Sequence, residues 1–294
     1  MRPGPCGLCL SGGHLVHHVI QWSGGIGSWA ATELVRRAHP GDPITLLFSD
    51  VLIEDSDLYR FNADASHRLG IPITRVCDGR TPSQLFVQRS YLGNARIAPC
   101  SQVLKQKPCR RWLTEHTDPA DTVLYVGLEP GEQRRAPAVT TGWRPWRVEY
   151  PLMQHPDLTK DDLLSWCRGV GLEPPRLYRF GFSHNNCGGL CVRGGQAHWR
   201  RTQKVFPDRF AWYAQLEQDF RAKHGDVAIL KQRCHGQTHP LPLRDLHTGS
   251  AAAPALTELD IEHVLRLLGL GERPEDRRRR LQVESPATAA TRAG

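Results

Sequence analysis

No apolar run in the chain approaches the roughly 20 residues that a helix needs to cross a bilayer. The N-terminus, Met1-Arg2-Pro3-Gly4-Pro5-Cys6, lacks an apolar stretch of secretory-leader length. Both absences lead to the expectation of a cytoplasmic protein with no membrane partner. Internal repeats are missing too, which argues against a solenoid. Charge of one sign is not abundant: 38 Lys and Arg against 30 acids leave +8, and six Arg against four acids put +2 of that in residues 271–294. The remaining +6 permits a polyanionic partner such as tRNA or DNA without demanding one.

With 294 residues, 39% of them apolar and 23% charged, the chain can bury one large core or one core plus an appendage. Nine cysteines in a cytoplasmic chain point to thiol chemistry or metal binding before disulfides.

Residues 1–14 are rich in Gly, Pro and Cys and read as an extension. Leu15 to Trp22 is an apolar, β-branched run and a first strand, and Trp29 to Ala38 has helical spacing. Ile44 to Phe48, Ile71 to Val76 and Thr122 to Leu128 are further strands, alternating with helices over Asp57 to Leu69, Thr81 to Arg89 and Gln102 to Glu115. This alternation predicts an α/β protein, a parallel sheet with helices on both faces, over residues 15–152. Residues 153–270 form a Cys-rich, helical C-terminal region. It opens with a capping box at Thr159-x-x-Asp162 and holds a Gly-, Asn- and Cys-dense stretch at 174–200 that suits a site-forming loop. Helices are expected over Lys204 to His224 and Thr257 to Leu268, and a disordered tail over 271–294, including the Arg277–Arg280 run.

The turn Ser23-Gly24-Gly25-Ile26-Gly27-Ser28 joins the first strand to the first helix. Glycines let a backbone approach phosphates, the helix N-terminus points N–H groups at them, and Ser23 and Ser28 add hydroxyls. The ending Gly-Lys-[Ser/Thr] of a Walker A loop is absent. A plain strand-to-helix turn is the competing reading. The position after the first strand, where open α/β sheets place their ligand crevice, favours the anion site.

In order, four further segments join this loop: Phe48-Ser49-Asp50-Val51-Leu52-Ile53-Glu54, Cys100-Ser101-Gln102-Val103-Leu104-Lys105, Gly127 through Glu132 to Arg134-Arg135, and Cys187-Gly188-Gly189-Leu190-Cys191. The set resembles the adenosine-phosphosulfate and phosphoadenosine-phosphosulfate reductase family within the PP-loop ATP pyrophosphatases. More narrowly, Leu92-Gly93-Asn94-Ala95-Arg96 and Gly181-Phe182-Ser183-His184-Asn185-Asn186 resemble uncharacterised phage and bacterial members. The resemblance spans residues 18–200 and implies a Rossmann-like, adenine nucleotide alpha-hydrolase-like sheet. It also implies ATP with Mg²⁺ at Ser23, Gly24, Gly25, Ile26, Gly27, Ser28, Asp50, Gly127 and Arg135, with Asp50, Glu54, Lys105 and Arg134 as catalytic residues. Two departures stand out. Gly27 occupies a position where many PP-loop enzymes have Asp, and the reductases' C-terminal Glu-Cys-Gly-x-His motif has only Cys234-His235-Gly236 in its place.

The resemblance also implies that Cys100 comes to Cys187 and Cys191. Gathered thiolates favour an iron–sulfur cluster, 4Fe–4S, with zinc as the alternative and ordinary buried thiols as the third reading. Cys109 is the candidate fourth ligand, with His184 and His198 in reserve. Cys6 and Cys9, Cys77 and Cys167 read as incidental or core thiols. Arg96, Lys105, Arg134 and Arg135 are candidate phosphate binders. Three functions follow as expectations. The first is an ATP-dependent sulfurtransferase acting on tRNA, DNA or a small metabolite, fed by a cysteine desulfurase or another sulfur donor. The second is an adenylyl-sulfate reductase, and the third a non-catalytic nucleotide- or nucleic-acid-binding protein.

Overall fold

Each of the first strands ends at the same side of one sheet, and this gathers the loops that matter. The computed structural model describes residues 15–247. The 1–14 extension with Cys6 and Cys9, the Thr257–Leu268 helix and the 271–294 tail lie outside the described residues. In chain order the elements are β1 (His17–Trp22), α1 (Ile26–Ala38), β2 (Ile44–Asp50), α2 (Ser56–Leu69), β3 (Ile73–Cys77) and α3 (Pro82–Gln88). A π-helical stretch, Ser101–Gln106, runs into α4 (Lys107–His116), followed by β4 (Thr122–Tyr125), α5 (Ala136–Gly142) and β5 (Arg147–Glu149). Then come α6 (Lys160–Gly169), α7 (Arg176–Arg179), α8 (Gln196–Val205), α9 (Pro207–His224), β6 (Leu230–Cys234) and β7 (Gln237–Leu241).

The main sheet has the order β3-β2-β1-β4-β5, and every pairing in it is parallel. This is a Rossmann-like α/β fold. The chain runs outward from β1 through β2 to β3 and then returns to β4 on β1's other side. The topological switch therefore lies between β1 and β4, where such sheets open a ligand crevice.

Side chains alternate across the strands, and each face packs its own helices. Ile20, Trp22, Leu46, Phe48, Val123 and Tyr125 face α1, α2 and α6, through Trp29, Phe61 and Leu163 among others. Val19, Leu47 and Leu124 face the opposite way, against Cys109 and Leu113 of α4 and against Trp143 and Trp146. Because α6 shares the first core, packing is continuous across the boundary expected at residues 152 and 153. A further core holds Trp199, Phe210, Tyr213 and Phe220 of α8 and α9 against Leu230 and Leu241 of the antiparallel β6–β7 pair.

Local signals account for several element ends. Gly70 closes α2 at φ 68°, a left-handed position that glycine takes without strain. Thr81 with Gln84 and Thr159 with Asp162 form reciprocal capping boxes at α3 and α6. Three differences from the sequence reading have physical reasons. The helix expected from Lys204 starts at Gln196 and breaks at Phe206, because Pro207 cannot continue it but can begin α9. The helix expected over Gln102–Glu115 opens with a π-helical turn, and Pro108 takes an early position of α4. The short β5 carries little periodicity of its own and is held by pairing with β4. Among the described residues no helix is long and apolar enough to cross a membrane.

Candidate functional site

The phosphate-type loop sits where β1 meets α1. Gly24 has φ 69°, and a Cβ there would lie 2.7 Å from Leu58 Cγ. Glycine is thus required by both conformation and space. Helix α1 begins at Ile26 with no side-chain cap and no acidic residue in its first turn. Apart from Ile26 N, which meets a tyrosine hydroxyl of the facing wall, its leading N–H groups are therefore left for an anion. Ser28 Oγ donates to Gly25 O at 2.9 Å and accepts from Ser23 N at 3.2 Å, which fixes the loop's curve.

Around this loop opens a cavity of about 440 Å³, within the usual size of small-ligand sites. Ser23, Gly25, Gly27 and Ser28 line it from β1, and Gly127, Leu128 and Glu129 line it from the end of β4. The far wall is Lys160, Tyr178 and the segment Ser183–Asn186, and Glu132 and Arg135 complete it. Tyr178 Oη accepts from Ile26 N at 3.1 Å, and Asn185 Nδ2 donates to Gly24 O at 2.8 Å, so the wall is tied to the loop. Lys160 pairs with Glu129 and lies over the Tyr178 ring, 5.5 Å from its centroid. His184 is a half-buried member of the wall whose buried Nδ1 has no hydrogen-bond partner. Burial, with His198 adding to it, pulls its pKa down to about 4.

The wall continues into a second group. Directly after Asn186, Cys187 adopts φ 54°, and Gly188 and Gly189 follow at φ 57° and 83°. A Cβ on Gly188 would lie 2.8 Å from Ile53 O, so this turn presses against the loop after β2. Cys187 N donates to Glu54, and Lys105 Nζ lies 3.4 Å from Glu54 Oε1. Cys187 packs with Val51, Leu85, Val103 and Leu104, and Cys100 and Cys191 lie against the same cluster. Burial raises the Cys100 thiol. A hydrogen bond between the Cys187 and Cys191 sulfurs pulls Cys191 down to about 6 and holds Cys187 well up. Burial raises Glu54, against the lowering effect of Lys105. Burial opposes the Lys105 charge too, but facing charge at Cys187, Glu54 and Cys191 outweighs it and holds Lys105 above its ordinary range.

Of the residues singled out from sequence, Ser23, Gly25, Gly27, Ser28, Gly127 and Arg135 line the cavity, with Gly24 and Ile26 in the same loop. Glu54 and Lys105 instead join the thiol group. Asp50 is not a cavity residue. Its fully buried carboxylate takes Arg75 Nη2 at 2.8 Å, Tyr59 Oη at 3.0 Å and Leu52 N at 2.8 Å, which uses its acceptor capacity inside the protein. Arg134 does not line the cavity either, whereas its neighbour Arg135 does and pairs with Glu132. Cys109 is not in the cluster that holds the other three thiols; it is buried with Trp143, Trp146 and Leu113. Burial pushes its thiol up to about 12. His198 Nε2 lies 2.9 Å from Gly189 O, so that imidazole braces the glycine turn. Cys234 is exposed on the β6–β7 hairpin and lines no part of the cavity. Sequence reasoning gave no site role to Lys160, Tyr178 or Glu129, although Glu129 lies in the Gly127–Arg135 segment and Lys160 in the capping box of α6. Asn185 and Asn186 fall in the Gly- and Asn-dense stretch that did read as site-forming.

No family model and no curated protein matches the chain. Many solved structures are similar to it, two among them with the following agreement. One is phosphoadenylyl-sulfate (PAPS) reductase from Candida auris in a phosphate complex, at a TM-score of 0.40 and 12% identity, covering 56% of this chain and 78% of that one. The other is the U34-tRNA thiolase NcsA from Methanococcus maripaludis with its 4Fe–4S cluster, at a TM-score of 0.42 and 14% identity, covering 71% of this chain and 68% of that one.

Proposed function

We propose that the protein is an ATP-dependent sulfurtransferase of the PP-loop class. The observation that carries this reading is the single segment 183–191. Its first half walls the cavity at the phosphate-type loop, and its second half holds Cys187 and Cys191 beside Cys100. A nucleotide site and a thiol site joined in this way serve a reaction that activates with one and delivers sulfur from the other.

In this reading ATP lies with its phosphates on the uncapped start of α1, and Lys160 and Arg135 offset their charge. Glu129 and Glu132 are the cavity's carboxylates and take the Mg²⁺ role. An acceptor oxygen attacks the α-phosphorus, the bond to the bridging oxygen breaks, and pyrophosphate leaves. Sulfide-level sulfur then forms a bond to the acceptor carbon, and AMP departs with the oxygen. The chain's part is positioning and charge neutralisation.

Three soft thiols in a mostly apolar setting match the donor set of an iron–sulfur cluster. A 4Fe–4S cluster on Cys100, Cys187 and Cys191 would supply an iron with an open position for sulfur. Lys105 would balance the anionic thiolates, and Glu54 would hold both Lys105 and the Cys187 amide in place.

The test is pyrophosphate release from ATP by anaerobically prepared protein, with and without bulk tRNA or DNA. Acceptor-dependent release that Gly25→Asp abolishes supports the reading, because that side chain would press on Tyr178 Oη, 3.0 Å from the added Cβ. Thioredoxin-dependent sulfite production from an adenylyl sulfate, lost in Cys234→Ser, would replace it with a reductase.

A further inference from the structure

A second cluster of ligating side chains lies at the far end of the sheet from the phosphate-type loop. His18, near the amino end of β1, is 1% exposed and stands beside Ile44, the first residue of β2. Its Nε2 lies 3.0 Å from Asp42 Oδ2, and its Nδ1 lies 2.9 Å from Tyr125 Oη. His39, which closes α1, stacks on His18 with ring centroids 4.2 Å apart. Its Nδ1 is 3.9 Å from the same Asp42 oxygen. One ligand atom from each of the three residues lies within 4.8 Å of the other two.

Tetrahedral zinc, with N and O ligands about 2.0–2.1 Å away, sets those ligands about 3.4 Å apart. The observed 3.0 and 3.9 Å straddle that value. A hydrogen-bonded chain from Asp42 through His18 to Tyr125 would by itself account for His18. It does not account for His39, whose nitrogen converges on the carboxylate oxygen that His18 already faces. The Tyr125 hydroxyl on Nδ1 is the kind of outer partner that fixes the ring of a metal-bound imidazole and leaves Nε2 for the metal. A cavity of about 330 Å³ bounded by Arg36, His39, Pro40, Asp42 and Ile44 opens over the group, giving a path for entry and room for a water.

We propose that His18, His39 and Asp42 bind a zinc ion, with water as the fourth ligand. Two imidazoles and a carboxylate on a tetrahedral ion are a donor set that suits zinc. The ion ties the start of β1 to the α1–β2 turn, remote from the cavity at the other ends of these strands. This site is independent of the sulfur-transfer reading.

Cobalt(II) separates it from the thiols, because thiolate-bound cobalt shows intense sulfur-to-metal charge transfer and cobalt on nitrogen and oxygen does not. Full-length protein freed of metal with a chelator is titrated with cobalt(II), and zinc affinity is measured by competition. The expected result is one equivalent of cobalt with d–d bands and no charge transfer. His39→Ala and Asp42→Asn should each lose that equivalent while keeping the wild-type circular dichroism. Tyr125→Phe should weaken zinc at this site by about 10–100-fold, as loss of such outer partners does. Absence of the sulfur-free equivalent from the wild-type protein would overturn the proposal without any variant. So would its retention in both ligand variants. Pyrophosphate release is not a readout here, so failure of this site and failure of the proposed reaction are distinguishable.

Discussion

A Cβ on Gly127 would lie 2.5 Å from the Gly27 carbonyl oxygen, and a Cβ on Gly27 would lie 2.8 Å from the Gly127 carbonyl oxygen. The two glycines therefore require each other: the first turn of α1 and the exit of β4 touch backbone to backbone across the topological switch. This gives a steric reason for Gly27 where many PP-loop enzymes carry Asp, since any side chain at this position would push β4's exit away. Gly127→Ala should cost about 1–3 kcal/mol, as overpacking of a tight contact does, and should also weaken ATP binding. Denaturant unfolding and calorimetric titration check both. Wild-type values in each would show that the contact is not tight in solution.

Asp55 joins three elements. Its fully buried carboxylate caps α2 by accepting from Asp57 N at 2.9 Å and receives Arg176 and Arg209, each at 2.7 Å. Burial alone would raise its pKa, but the arginine and backbone hydrogen bonds win and lower it. Asp55→Ala strands two arginines and should destabilise the fold by about 3–5 kcal/mol. A carboxyl with a depressed folded pKa stabilises fully above its unfolded value of 3.8 and loses that contribution as pH falls through the folded value. The variant should therefore lose less stability on acidification than the wild type. Parallel acid-unfolding slopes would refute this.

His184 acts in the same sense, over a higher pH window. Its folded pKa of about 4 lies below the ordinary 6.5, so between these values the unfolded chain binds the proton more readily. Stability rises with pH across that window, by about 3 kcal/mol in all from this group, and is complete above it. Relative to His184→Asn, the wild-type denaturant midpoint should rise from pH 4 to 7, because only the wild type must bury a charged imidazole at low pH. A constant gap would mean that His184 is not held neutral.

The thiols should sort by neighbourhood. Iron content and visible colour of anaerobically prepared protein should disappear in Cys100→Ser, Cys187→Ser and Cys191→Ser. Cys77→Ser, Cys167→Ser and Cys109→Ser should keep both, Cys109 because it packs with Trp143 and Trp146 and not in the cluster of the other three. Iron loss in Cys109→Ser together with wild-type folding would bring it back as a fourth ligand.

The sequence by itself determined the parts whose causes are local. The strand–glycine–helix passage at residues 23–28, the left-handed stop at Gly70 and the capping boxes at Thr81 and Thr159 each depend on dihedral preference or on hydrogen bonds within a few residues. Strand–helix alternation predicted the parallel sheet for the same reason. Tertiary structure alone decided the partners. Asn185 reaches the carbonyl of Gly24 across 161 residues, and Cys187 reaches Glu54 across 133. The acid at the end of β2 turned to Arg75 on the neighbouring strand, and the cysteine of α4 packed under Trp143 and Trp146, outside the cluster of the other three. Which strand lies beside which, and which face a helix covers, depends on burying many apolar side chains at once. No short window of sequence encodes that collective choice.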